Sequence, residues 1–147
     1  MRYGTQDLNL GFGARGGFTL PIGIYVGGVF DYFLGTSQTQ SMPGASTTAE
    51  ASMWDVGGEA GYDFGFRDSV VVRPYLGFGM ASAQAKVCID DGTGSPVCMT
   101  GSSSKAFISF GGQVNYMAGS FYAGGDLRVM VVDDSAFILG GHVGLVF

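Results

Sequence analysis

Charged and uncharged side chains in this sequence separate by parity. Seven segments alternate with period two, the signature of β-strands. Across them one parity carries no charge, while the other carries Arg15, Asp31, Asp55, Glu59, Asp63, Arg73, Asp126 and Arg128. Two faces that differ so completely lie in different solvents.

The segments fall near residues 8–16, 22–34, 53–64, 71–83, 106–116, 121–132 and 136–147. At roughly 9 to 13 residues each they are long for soluble strands and suited to tilted strands that cross a membrane. The charge-free parity holds the large side chains: Leu10 and Phe12, then Ile24, Val26 and Phe30, then Trp54 and Val56, then Leu76 and Phe78, and at the end Leu139, Val143 and Leu145. The charged parity holds most of the strand glycines, which suits the narrow inside of a small closed barrel. The expectation is an all-β, antiparallel, up-and-down transmembrane barrel of about eight strands, with a polar lumen and an apolar exterior. A soluble lipocalin-like or streptavidin-like barrel would reverse the faces.

Composition agrees. Only 13% of residues are charged, about half the share in an ordinary soluble domain, and 46% are hydrophobic. The 147 residues make one barrel domain, 1–147, and the 27 glycines follow no collagen-like period. No apolar run reaches the roughly 18 residues of a membrane-spanning helix. The seven Lys and Arg residues are scattered singly against a net charge of −5, so nucleic acid is not an expected partner.

Connections alternate in length. Short ones lie near 17–21, 65–69 and 117–120, long ones near 35–52 and 84–104, and the brief link at 133–135 falls on the long-loop side by position. Aromatics gather at strand ends on the apolar face. Tyr32, Trp54 and Phe137 lie toward the long loops, and Tyr62, Tyr116, Phe121 and Phe147 toward the short turns, as two interfacial girdles would. An ordinary sandwich core is the plainer account of the same aromatics.

The aromatic and glycine texture at 23–32 and 73–79, with a final strand ending on Phe147, resembles the small outer-membrane β-barrel family of the OmpA and OmpX type. The resemblance covers nearly the whole chain. It implies residence in the Gram-negative outer membrane, a lipid bilayer or detergent as partner, a monomer, and Phe147 as the signal read by the barrel-assembly machinery. One feature departs from the family: such barrels have even strand numbers, and only seven strands are readable. Residues 1–7 are too short for both a membrane strand and a loop, which leaves a preceding strand, a parallel seam or an unread strand in a loop.

Little in the sequence suggests catalysis. His142, the only histidine, has the charged parity of the last strand and has no Ser or Cys at short spacing. Lipid-modifying outer-membrane barrels, which join His to Ser and a carboxylate, are the enzyme alternative. Cys88 and Cys98 share the second long loop, where an exported chain most simply forms a disulfide. Asp90 and Asp91 before Gly92 read as a turn rather than a calcium loop. No metal or cofactor is expected.

The lumen constellation is therefore Arg15, Arg73 and Arg128 set against Asp31, Asp55, Glu59, Asp63 and Asp126, with His142. Ionised groups in a narrow barrel must be paired or hydrated. They form either a plug or, with carboxylates in excess, a narrow and weakly cation-selective pore. Folding the last hairpin about Asp134 sets Asp126 opposite His142. The expected role is structural or interactive: a membrane anchor presenting loops 35–52 and 84–104 to a ligand the sequence does not name.

Overall fold

Nearly every described residue is in a strand. The computed structural model describes residues 2–4, 9–35, 37–42, 45–66, 69–90, 95–132 and 135–145. Ten strands form one sheet: β1 (Arg2–Gly4), β2 (Asn9–Thr19), β3 (Ile24–Phe33), β4 (Ser37–Met42), β5 (Ala45–Tyr62), β6 (Phe64–Phe66), β7 (Val70–Asp90), β8 (Val97–Ala118), β9 (Phe121–Val131) and β10 (Ser135–Leu145). All pairs are antiparallel.

The ladder returns on itself. It runs β1, β2, β3, β5, β7, β8, β9 and β10, and β10 pairs back onto β1 through Arg2 with Gly140 and Gly4 with Ile138. The eighth strand is thus the three residues of β1, in the segment too short to read as a strand. The seam is antiparallel, not parallel. β4 continues the line of β3 past Gly35, a left-handed residue (φ 69°) where a Cβ would strike the Ala51 carbonyl. β6 likewise continues β5 past Asp63.

The expected long loops are largely strand. β4 pairs with β5 from Ser37–Glu50 to Met42–Ala45, β5 with β7 up to Ser46–Asp90, and β7 with β8 up to Ile89–Val97. The reason lies in the sequence: 37–52 and 84–104 are rich in Ser, Thr, Ala and Gln but contain few breakers, so the ladders continue beyond the barrel.

Face parity holds throughout the barrel. Val26, Phe30, Val56, Leu76, Phe78, Ile108, Leu127, Leu139 and Val143 point outward and are exposed, while Tyr25, Asp31, Asp55, Glu59, Tyr75, Gln113, Asp126 and Arg128 point inward and are buried. A continuous apolar belt of this extent fits a hydrocarbon surround, not water. Inward glycines make room for inward side chains. A Cβ on Gly27 or Gly111 would run into the rings of Tyr25 and Tyr75 respectively.

Candidate functional site

The lumen is layered. At the long-hairpin end it is apolar, against the expectation of a polar interior throughout: Phe33, Ala81, Phe107, Met130, Ala136 and Ile138 form one buried cluster, with Met53 and Val132 against it. These residues share the parity of the charges. They extend each strand's inward face toward its end, where the sequence offers hydrophobes in place of Asp and Arg. A hydrophobic cluster here closes the lumen without needing partners for polar groups.

Directly beneath lies a buried ion triad. Asp31 on β3 and Asp55 on β5 are register partners, two carboxylates side by side in adjacent strands. Arg128 reaches them from β9 on the opposite wall. Its Nη1 donates to Asp55 Oδ1 at 3.2 Å and its Nη2 to Asp55 Oδ2 at 2.9 Å, while Nη2 also lies 2.9 Å from Asp31 Oδ2. All three residues are 0% exposed. One planar guanidinium, with its donors in a fixed fork, thereby holds apart two charges that would otherwise repel.

The next layer centres on Arg15. Its Nε is 2.9 Å from Glu59 Oε1 and its Nη2 is 3.4 Å from Asp126 Oδ2. Tyr25 donates its hydroxyl proton to Glu59 at 3.1 Å, and Tyr75 donates to Asp126 at 3.3 Å. Gln113 stands between two guanidiniums: in one amide orientation its oxygen accepts from Arg73, in the other from Arg15. At the short-turn mouth Arg73 pairs with Asp63, which also accepts from Thr19 Oγ1 at 2.8 Å, and the Arg73 guanidinium stacks 3.5 Å from the Tyr25 ring centre.

The lumen residues expected from the sequence are therefore brought together, in three groups rather than one. His142 is the exception in its partner. β9 and β10 pair two residues out of the expected register, Gly124 facing His142 and Gly140 facing Asp126. Their turn is centred one residue earlier than Asp134, in a link (133–134) outside the described residues. His142 Nε2 instead lies 2.6 Å from Asn115 Oδ1, and its Nδ1 stays 3.8 Å from Asp126 Oδ1. Tyr25, Tyr75, Gln113, Asn115 and Thr19 complete the network. Parity alone placed the first four inside, but an uncharged side chain carries no sign that it must be paired.

A cavity of about 1230 Å³ opens at the short-turn end, bounded by Arg15, Tyr25, Arg73, Gln113 and His142. Its described lining contains neither serine nor cysteine. Among the described residues no three His, Cys, Asp or Glu side chains are arranged to hold a metal ion.

Outside the barrel, β4, β5, β7 and β8 rise as a four-stranded sheet. β8 is joined by β9 only from Ile108 onward, so residues 97–107 form one free edge and β4 the other. Cys88 and Cys98 are register partners near the β7–β8 tip and are joined by a disulfide, with Cα atoms 4.1 Å apart. Val87, Ile89, Val97 and Met99 flank them on the other face of the hairpin, exposed. Of the aromatic residues expected at the interfaces, Tyr62, Tyr116, Phe121 and Phe137 are exposed on the outer face, and Tyr32 and Trp54 are half-buried. Tyr32 packs on Phe12 with ring centres 5.5 Å apart, and Tyr62 on Phe64 at 4.8 Å. Phe147 lies outside the described residues.

The family model of the outer membrane protein β-barrel domain matches residues 2–144. Two crystal structures of Ail, the attachment invasion locus protein of Yersinia pestis, share the fold. One covers 90% of this chain and 80% of its own, with TM-score 0.54 and 14% identity. The other, in complex with the heparin analogue sucrose octasulfate, covers 91% and 82%, with TM-score 0.56 and 18% identity. No curated protein matches the chain.

Proposed function

The chain belongs to the outer-membrane protein β-barrel family and resides in the Gram-negative outer membrane; from that premise we propose that it is a non-enzymatic surface-interaction protein whose barrel anchors a raised external sheet. The observation that carries this reading is the height of four strands. β4, β5, β7 and β8 continue past the other four as a paired sheet with two free edges, one crossed by a disulfide near its tip. A free strand edge is a template for pairing with another chain, and the disulfide restrains the tip against fraying.

The lumen supports an anchor rather than a channel. The apolar cluster and the Arg128 triad lie in series, and neither leaves a continuous polar path. His142 rests against an amide and a carboxylate, not the serine that acyl transfer would need.

Ail has been crystallised with a heparin analogue, but a polyanion is not the partner these segments favour. Residues 35–52 and 84–105 carry Lys86 and Lys105 against Glu50, Asp90 and Asp91, and a polyanion site calls for clustered cations. A protein strand or loop fits better.

The test replaces residues 86–100 with a two-residue turn. The shortened barrel is expected to insert and to stay folded in lipid vesicles, while binding of vesicles carrying the intact chain to a target cell surface is lost. Equal binding by both forms would remove the role assigned to the raised sheet. Steady ion conductance of the intact chain in planar bilayers would instead favour the pore.

A further inference from the structure

The barrel wall is bridged only in part between β2 and β10. β1 joins them from Arg2, level with Gly11 and Gly140, to Gly4, level with Asn9 and Ile138. Toward the short-turn end β2 runs on to Thr19 and β10 to Leu145, and among the described residues no strand lies between them. The lumen cavity reaches this gap. It is lined there by inward Arg15 and His142 and also by Phe18, Val143 and Leu145 from the lipid-side parity.

The rims of the gap are ladder edges. The Leu10 carbonyl accepts from the Leu34 amide at 3.0 Å, so even-numbered residues of β2 turn their backbone groups toward β3. Alternation in an antiparallel ladder then turns those of Gly13, Arg15, Gly17 and Thr19 into the gap. On β10 the Gly140 carbonyl points at β9, 3.5 Å from where a Gly125 Cβ would sit, so Val143 and Leu145 face the gap in the same way. Hydrocarbon offers nothing to bond these groups, and unpaired backbone is not left exposed to lipid.

We propose that this gap is a strand-binding slot, filled by an extended segment in line with β1 that leads into Arg2 from its N-terminal side and pairs with β2 and β10 at once. Lipid would fill the volume but leave the amides unbonded, which is why the occupant is polypeptide. Its direction is set by β1, antiparallel to both walls. Its pattern is set by the register: the residue two before Arg2 stands level with Gly13 and His142, and the residue four before it stands level with Arg15 and Gly144. These face a lumen already filled by Arg15 and His142, so they are small or polar. The residues between them stand level with Ala14 and Val143 or with Gly16 and Leu145, face lipid and are apolar. From Gly11 to Thr19 is eight steps, which sets the length.

The test compares residues 1–147, refolded in detergent micelles, with the same chain carrying eight added residues before Met1 that alternate Val or Leu with Ser or Gly. Amide hydrogen exchange is read by NMR at Arg15, Thr19, Val143 and Leu145, against Ala14 and Phe18, whose amides bond β3. In the chain as it stands the four are expected to exchange at least tenfold faster than the two references. The extension is expected to slow them at least tenfold, and a proline-broken extension of otherwise equal composition is not. Should the extended chain fail to refold, the same eight-residue peptide added in trans to 1–147 gives the same readout. Four amides already as slow as the references in dilute 1–147 would mean that β2 meets β10 directly and would overturn the slot. Protection that grows with protein concentration would assign the gap to a second copy. A spin-labelled phospholipid that still broadens these signals after extension would make it a lipid portal. Either result rejects the proposal.

Discussion

Asp31 and Asp55 face each other across adjacent strands, both wholly buried, and neither position is tolerable without the Arg128 guanidinium that reaches both. The triad is held by geometry from opposite walls, so it ties β3 and β5 to β9 across the lumen. Removing the cation leaves two uncompensated buried charges, which is costlier than never having had the pair. Arg128→Met is expected to destabilise the barrel by about 3–5 kcal/mol in urea unfolding from vesicles. Asp31→Asn with Asp55→Asn, added to Arg128→Met, is expected to recover most of that loss. If the triple variant is no more stable than the single one, repulsion between the carboxylates is not what Arg128 relieves.

On the lipid face, Leu76→Arg is expected to cost roughly 2–4 kcal/mol, since a charge near the membrane midplane must leave water. Leu76 is 66% exposed on the outer face. Val71, of inward parity and lining the cavity, is the matched control, and Val71→Arg is expected to cost less. Gln113 would be a poor control although it too faces inward, because a new cation there would sit between Arg15 and Arg73. Equal costs at positions 71 and 76 in a refolding titration would undo the assignment of faces.

Parity explains how much of this architecture was legible. A charge on a strand marks its face by itself, so eight charged residues and a histidine were enough to orient seven strands. The inner apolar cluster was not legible in the same way: Phe33, Phe107, Met130 and Ile138 have the charged parity, but hydrophobes on either face read alike until the ends of the strands are known. β1 escaped because three residues carry no periodicity. The raised sheet escaped because Ser, Thr and Gln serve equally in a loop and in a solvent-exposed ladder. Register was the least legible of all, since a two-residue slip preserves every face.

The disulfide restrains only its own hairpin. A closed loop of about ten residues is worth on the order of 3 kcal/mol in the chain-entropy model, and β7 is also paired with β5 as far as Asp90. Reduction is therefore expected to open residues 90–97 to limited proteolysis while cleavage within the barrel strands stays unchanged. Loss of the folded band on unheated gels after reduction would show that the bond supports the barrel itself.

Where His142 sits decides the register of the final hairpin, and cysteine pairs read it directly. In a background with Cys88→Ser and Cys98→Ser, Gly124→Cys with His142→Cys places two thiols on register partners, with Cα atoms about 5.5 Å apart as in any hydrogen-bonded antiparallel pair, within the reach of a disulfide. Asp126→Cys with His142→Cys places them on a diagonal, roughly 7–8 Å apart and beyond easy closure. Oxidation of the folded protein is expected to cross-link the first pair at least tenfold faster than the second. The reverse order would restore Asp126 as the direct partner of His142. It would also displace the histidine from Asn115, whose Oδ1 now lies 2.6 Å from its ring.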